Sequence, residues 1–125
     1  MRVLIVDDDP VALMTLKALI EQLGHTVATR SEALGTSSAI REQKPELIVL
    51  DVHMPGLSGD ALARLLQKPS NRERDDTPSV LFYSAMAERE LEQLVASTGA
   101  AGYLSKDWTP QRVKSEFKRL ASSQP

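Results

Sequence analysis

Several runs of apolar residues in this sequence stop at a side chain that can do chemistry. Leu4-Ile5-Val6 ends in Asp7-Asp8-Asp9, and Ile48-Val49-Leu50 ends in Asp51. Val80-Leu81-Phe82-Tyr83 ends in Ser84, and Tyr103-Leu104-Ser105 ends in Lys106. If those ends meet, Asp7, Asp8 and Asp51 repel and raise one another's pKa values. A hard divalent cation removes that cost, and Mg²⁺ is typically held by one or two carboxylates, waters and a phosphate. Lys106 adds a point charge suited to a phosphate oxygen, and Ser84 adds a hydroxyl donor. A carboxylate can take a phosphoryl group directly as an acyl phosphate. Such a set suits phosphoryl transfer, which needs positioning and charge neutralisation more than covalent help.

For the ends to meet, the runs must be parallel strands. Arg2 to Val6 is apolar after its first residue, as a strand covered on both faces requires. Asp9-Pro10 reads as a cap followed by a helix start. Leu16, Leu19, Ile20 and Leu23 then recur at helical spacing, and Gly24 stops the helix. Thr26 to Arg30 is a second, more polar strand, placed at a sheet edge. A helix opening at Ser31 or Glu32 and running to about Gln43 is weakened by Gly35, Thr36, Ser37 and Ser38. Glu46 to Leu50 is the third strand, ended by the Met54-Pro55-Gly56 turn. Ser58 can cap a third helix carrying Ala61, Leu62, Leu65 and Leu66, and residues 67–77 read as a charged surface loop. Ser79 to Tyr83 is the fourth strand, Glu88 to Thr98 a helix closed by Gly99, and Ala101 to Leu104 the last strand. Thr109-Pro110 opens a final helix with Val113, Phe117 and Leu120 on one side and several basic residues on its other faces. Five βα units in succession imply a parallel sheet with helices on both faces, joined by right-handed crossovers. Open sheets of this kind bind ligands beyond the carboxyl ends of their strands.

The 125 residues suit one domain with a core of its own. Residues 1–121 are expected to form that domain, with 122–125 as a tail. The absence of cysteine excludes disulfides, thiolate metal sites and cysteine nucleophiles. No apolar run approaches the roughly 20 residues of a membrane span, and the formal net charge of −2 argues against gripping a nucleic-acid backbone. The expectation is a cytoplasmic protein, either a stand-alone regulator or an excised domain, with no membrane and no direct nucleic-acid partner.

At these residues the sequence resembles the receiver domains of two-component response regulators. The resemblance rests on Asp7-Asp8 after the first strand, Asp51 in Asp-Val-His-Met-Pro-Gly, Ser84-Ala85 after the fourth, and Lys106 after the fifth with Tyr103 three residues before it. It implies a flavodoxin-like, doubly wound α/β fold: a five-stranded parallel sheet of order 2-1-3-4-5 flanked by five helices. It implies that Asp51 accepts a phosphoryl group from a sensor histidine kinase or phosphotransfer protein. Mg²⁺ would be held by Asp8, Asp51 and the backbone carbonyl of His53, with Asp7 acting through water. Lys106 and Ser84 would hold phosphoryl oxygens, and Ser84 and Tyr103 would switch the binding of an output partner that the sequence does not name. Such a protein is a phosphoacceptor, not an enzyme in the ordinary sense, although it promotes its own phosphorylation and dephosphorylation. His53 and Met86 occupy positions that tune the lifetime of the phosphoryl group, with His53 slowing attack by water or shifting it with pH. For His53 an exposed loop residue is the plain alternative, and for Tyr103 an ordinary edge-strand aromatic.

The chain departs from the pattern at Lys106-Asp107, where the family usually has Lys-Pro with a cis bond. A cis bond before a non-proline residue costs about 3 kcal/mol, so a trans bond is expected, with Asp107 weakening the pull of the lysine. Asp9 is expected to be a cap, Trp108 a packing residue near the site, and His25 a loop residue. A serine hydrolase lacks its G-x-S-x-G elbow here, and a nucleotide or flavin binder lacks its glycine-rich loop. A receiver-like interaction module that is never phosphorylated is the rival that remains.

Overall fold

Leu47–Leu50 is four residues long and buried at every one of them, so it lies at the centre of the sheet. The computed structural model describes residues 1–32, 35–56 and 78–123. Among these the order is β1 (Arg2–Val6), α1 (Pro10–Gln22), β2 (Thr26–Arg30), α2 (Thr36–Gln43), β3 (Leu47–Leu50), β4 (Ser79–Ser84), α3 (Glu88–Thr98), β5 (Gly102–Ser105) and α4 (Pro110–Ser122). All strand pairs are parallel, in the order β2-β1-β3-β4-β5. The half-buried strand β2 is at the edge, as its polar alternation requires. The expected helix after Ser58 and the charged loop over 67–77 lie outside the described residues.

Strand alternation divides the core into two layers. Val3, Ile5, Leu47, Val49, Leu81 and Leu104 point to one face, where Leu16 and Ile20 of α1 and Val113, Phe117 and Leu120 of α4 cover them. Leu4, Val6, Ile48, Leu50, Val80 and Phe82 point to the other, where Ala39 of α2 and Leu91 of α3 pack. The helix starts follow their caps. Asp9 Oδ1 accepts bonds from the backbone N–H of Val11 and Ala12 at 3.0 and 3.4 Å, and Thr109 Oγ1 accepts one from Arg112 at 3.2 Å. The helix expected from Ser31 or Glu32 starts later, at Thr36. Gly35 takes a left-handed φ of 83° in front of it, which no α-helical residue adopts. None of the described helices is long and apolar enough to cross a membrane.

Gly102 on β5 serves a packing need that the pattern of apolar residues does not reveal. A Cβ there would lie 2.8 Å from Leu120 Cδ2 and 3.0 Å from Cδ1, so the missing side chain lets α4 close onto the edge of the sheet. Gly102→Ala should therefore destabilise by about 1 kcal/mol, because the flexible leucine can yield in part. Urea unfolding checks this, and an unchanged midpoint would show that Leu120 gives way freely.

Candidate functional site

The strand ladder carries the site residues into position. Val6 pairs with Leu50 and Leu50 with Phe82, so Asp7 and Asp51 leave neighbouring strands at the same level. The ladder continues one step past the strands: Asp51 N–H donates to the Val6 carbonyl at 2.9 Å and Lys106 N–H to that of Ser84 at 2.8 Å. Side-chain alternation then sets the faces. Asp7, Asp51 and Lys106 continue the series that faces α1 and α4, whereas Ser84 continues the series of Val80 and Phe82. Tyr103 pairs with Phe82 and shares its face, so Ser84 and Tyr103 are diagonal neighbours on one side of the sheet.

At the centre, the ligand oxygens of Asp7, Asp8 and Asp51 all lie within 4.8 Å of one another. Asp7 is fully buried, Asp51 is 4% exposed and Asp8 is open to solvent. Lys106 Nζ lies 3.0 Å from Asp7 Oδ2 and 3.6 Å from Asp51 Oδ2, bridging the two buried acids. The ammonium also lies 5.3 Å from the centre of the Tyr83 ring, a cation–π contact that adds to its fixation. One oxygen of each buried acid is tied back to its own loop. Asp7 Oδ1 accepts from Asp9 N–H at 2.9 Å, and Asp51 Oδ1 from His53 N–H at 3.2 Å. The Oδ2 atoms are left facing Lys106.

Burial pushes the Asp51 carboxyl up to about 6, with the neighbouring Asp7 adding to the rise and the His53 N–H and Lys106 opposing it. Two buried acids share one ammonium, so the site is short of positive charge. Asp7 Oδ2 has the Lys106 ammonium as its ion-pair partner and no further partner among the described residues. Hard oxygen donors, a charge deficit and one solvent-facing acid fit a divalent cation such as Mg²⁺.

The other candidates fall around this centre. Ser84 is fully buried, and its Oγ accepts from Met86 N–H at 3.1 Å, so Met86 fixes the serine through its backbone. The His53 side chain is exposed beside Asp51. Tyr103 turns its hydroxyl to Glu88 Oε1 at 3.0 Å and to Glu92 Oε1 at 3.3 Å, both on α3. Burial and then Glu88 push the Tyr103 hydroxyl up to about 12. Trp108 stands 5.7 Å from the Tyr103 ring. The Lys106–Asp107 bond is trans, as expected. Asp107 does not take the ammonium group. It is exposed and its N–H donates to Ser105 Oγ at 3.1 Å, while the ion pairs of Lys106 are those with Asp7 and Asp51. The expected weakening of the lysine by Asp107 therefore has no contact behind it. His25 has more than a loop's surroundings: its ring meets Phe117 edge-on at 5.7 Å, and burial lowers its pKa. The roles of Tyr83 and Glu88 were missed from sequence. An aromatic one residue before Ser84 was the available signal for the first, and the second had none.

The profile of the response regulator receiver domain matches residues 3–118. The chain belongs to the response-regulator receiver family. The positive alginate biosynthesis regulatory protein of Pseudomonas aeruginosa is 40% identical over 124 residues, covering 97% of this chain and 47% of that protein. This receiver thus spans about half the length of that relative. Protein PilH of the same organism is 31% identical over 106 residues, covering 84% of each. The crystal structure of a putative response regulator from Chloroflexus aurantiacus has the same fold, with a TM-score of 0.80 at 24% identity over 97% of each chain. Receiver domains are signalling domains rather than classical enzymes, and they are partnered with histidine kinases or phosphotransfer proteins. In the family an aspartate is the phosphoacceptor and Mg²⁺ binds at an acidic cluster, here that of Asp7, Asp8 and Asp51.

Proposed function

We propose that Asp51 is the phosphoacceptor of this receiver and that its phosphorylation switches the binding of an output protein. The convergence of Asp7, Asp8, Asp51 and Lys106 at one sheet edge carries this reading. An Asp51 oxygen attacks the phosphorus of a phosphohistidine, the P–N bond breaks, and the freed imidazole nitrogen takes a proton. Asp8, Asp51 and the His53 carbonyl would hold Mg²⁺, with Asp7 contributing through water. When bound, the ion neutralises charge on the phosphoryl oxygens. Lys106 stabilises the same charge from its anchored position, and Ser84 Oγ donates to a phosphoryl oxygen. Ser84 lies on the Tyr103 face of the sheet, so that donation draws it toward Asp51 and opens room beside Tyr103. The phosphoryl group adds charge and strong acceptors at Asp51, and it biases an equilibrium between two arrangements. Release of phosphate by water restores the start, promoted by the same groups. The receiver unit spans residues 1–121, with 122–125 as a tail that begins on the last residue of α4. Its setting is the cytoplasm, with proteins and neither nucleic acid nor membrane as its direct partners.

Incubation with Mg²⁺ and acetyl phosphate tests the reading: intact-mass spectrometry should show one added phosphoryl group, lost when EDTA is present. An unmodified chain under these conditions would favour the interaction module that is never phosphorylated. His53 is exposed and its backbone N–H is bonded to Asp51 Oδ1, so its ring is within reach of the path by which water approaches the phosphoryl group. His53→Ala should shorten the acyl-phosphate lifetime several-fold, followed by phosphate release after removal of the donor. An unchanged decay rate would make His53 an ordinary loop residue.

A further inference from the structure

The strongest unassigned cluster is centred on Glu88, at the start of α3. Its carboxylate is engaged at both oxygens. Tyr103 Oη donates to Oε1 at 3.0 Å and Trp108 Nε1–H donates to Oε2 at 3.2 Å. Arg112 Nη2, from the first turn of α4, stands 3.6 Å from Oε1. The Arg112 guanidinium also lies over the Trp108 ring, 4.2 Å from its centre. One carboxylate on α3 therefore gathers donors from β5, from the loop after β5 and from α4. Glu92, one turn further along α3, offers Tyr103 a second and longer bond at 3.3 Å.

The exposed Arg112–Glu88 pair adds little stability by itself. Its effect is geometric. Trp108 and Arg112 hold the Glu88 carboxylate in one place, so Tyr103 finds a fixed acceptor on α3. The Glu88 backbone lies four residues beyond Ser84 on the connection that Ser84 must disturb when it moves. Three of the bonding groups, Tyr103, Trp108 and Arg112, lie on segments flanking Lys106, which touches Asp51 directly.

We propose that Glu88 is a positioning residue for the switch, a latch that holds Tyr103 outward and sets the free-energy gap that phosphorylation must overcome. The proposal rests on the reading of Asp51 as phosphoacceptor and Tyr103 as its reporter. In the latched state the tyrosine hydroxyl bonds the carboxylate. Inward rotation of the ring breaks that bond and leaves Glu88 with Trp108 and Arg112. A weaker latch favours the inward state before any phosphoryl group arrives. Ligands that prefer that state then bind more tightly, because the competent state is more populated. A cluster that merely ties α3 to α4 would alter stability and leave ligand affinity where it was.

The test uses the full chain, with beryllofluoride and Mg²⁺ as the phosphoryl mimic and calorimetric titration as the readout. Glu88→Ala should tighten beryllofluoride binding about five-fold, the worth of one net hydrogen bond. Glu88→Gln, which keeps an acceptor oxygen of the same reach, should shift affinity the same way by less, and it serves if the alanine variant folds poorly. In a Tyr103→Phe background the Glu88→Ala gain should vanish, since no hydroxyl is left to hold. Unchanged or weaker affinity in Glu88→Ala overturns the latch, as does a gain that persists undiminished in the Tyr103→Phe background. If the unaltered chain takes up no beryllofluoride, the phosphoacceptor reading fails and the latch falls with it. If it does bind and Glu88→Ala changes nothing, only the latch is lost.

Discussion

Asp51→Asn should abolish phosphoryl uptake from acetyl phosphate and, in EDTA at pH 7.5, make the fold more stable by about 3 kcal/mol. The first effect follows because an amide oxygen is too poor a nucleophile to form the acyl phosphate. The second follows from burial. The Asp51 carboxyl is pushed up to about 6, chiefly by desolvation, from an ordinary value near 4. Each unit of difference is worth about 1.4 kcal/mol. A raised acid is stabilising while protonated. Its contribution is present below about pH 4 and is lost as the pH climbs through about 6. Near neutrality the metal-free protein carries a buried charge that asparagine does not, whereas the amide still accepts the bond from His53 N–H. Urea unfolding in EDTA at pH 4 and pH 7.5 checks both halves. The advantage of the variant should nearly vanish at the lower pH, and an advantage equal at both would show that Asp51 is not the source.

Lys106→Ala should slow phosphoryl transfer by about 100-fold, the usual cost of losing one fixed electrostatic contact to a developing charge. It should also destabilise the metal-free fold by about 3 kcal/mol, because removing one partner of a buried ion pair strands the other. Asp7 is fully buried and has this ammonium 3.0 Å away, with Asp51 at 3.6 Å. Mg²⁺ should restore much of the lost stability without restoring the rate, since the ion can neutralise the acids but cannot replace a donor on the lysine's side of the phosphoryl group. The ion should also bind more tightly to the variant, because a competing cation has gone. Initial rates with acetyl phosphate and urea unfolding with and without Mg²⁺ separate these effects. A rate within threefold of the unaltered protein would remove Lys106 from the reaction.

The two variants read opposite sides of one imbalance. Two buried carboxylates are held against a single ammonium, and the site is more stable with either one negative charge fewer or one cation more. That imbalance is what a phosphoacceptor with a divalent cation needs. Stability is surrendered at the functional site and supplied by the fully apolar layers on both faces of β1, β3 and β4.

Much of this was readable from the chain of residues alone. Buried parallel strands must be apolar throughout, so their first polar residue marks where the strand ends at the edge of the sheet. For that reason Asp7, Asp51, Ser84 and Lys106 could be placed at one edge from the order of residues, and the polar alternation of Thr26–Arg30 put β2 at the rim. Local caps such as Asp9 and Thr109 were equally plain, because a cap bonds backbone within three residues of itself. Other features depend on partners far apart in the chain. Gly102 answers to Leu120, Lys106 to Asp7, and Glu88 to Tyr103, Trp108 and Arg112. Propensity and periodicity describe a residue's own element, whereas the choice of a contact across elements is made only when the layers close and determine which side chains lie within reach.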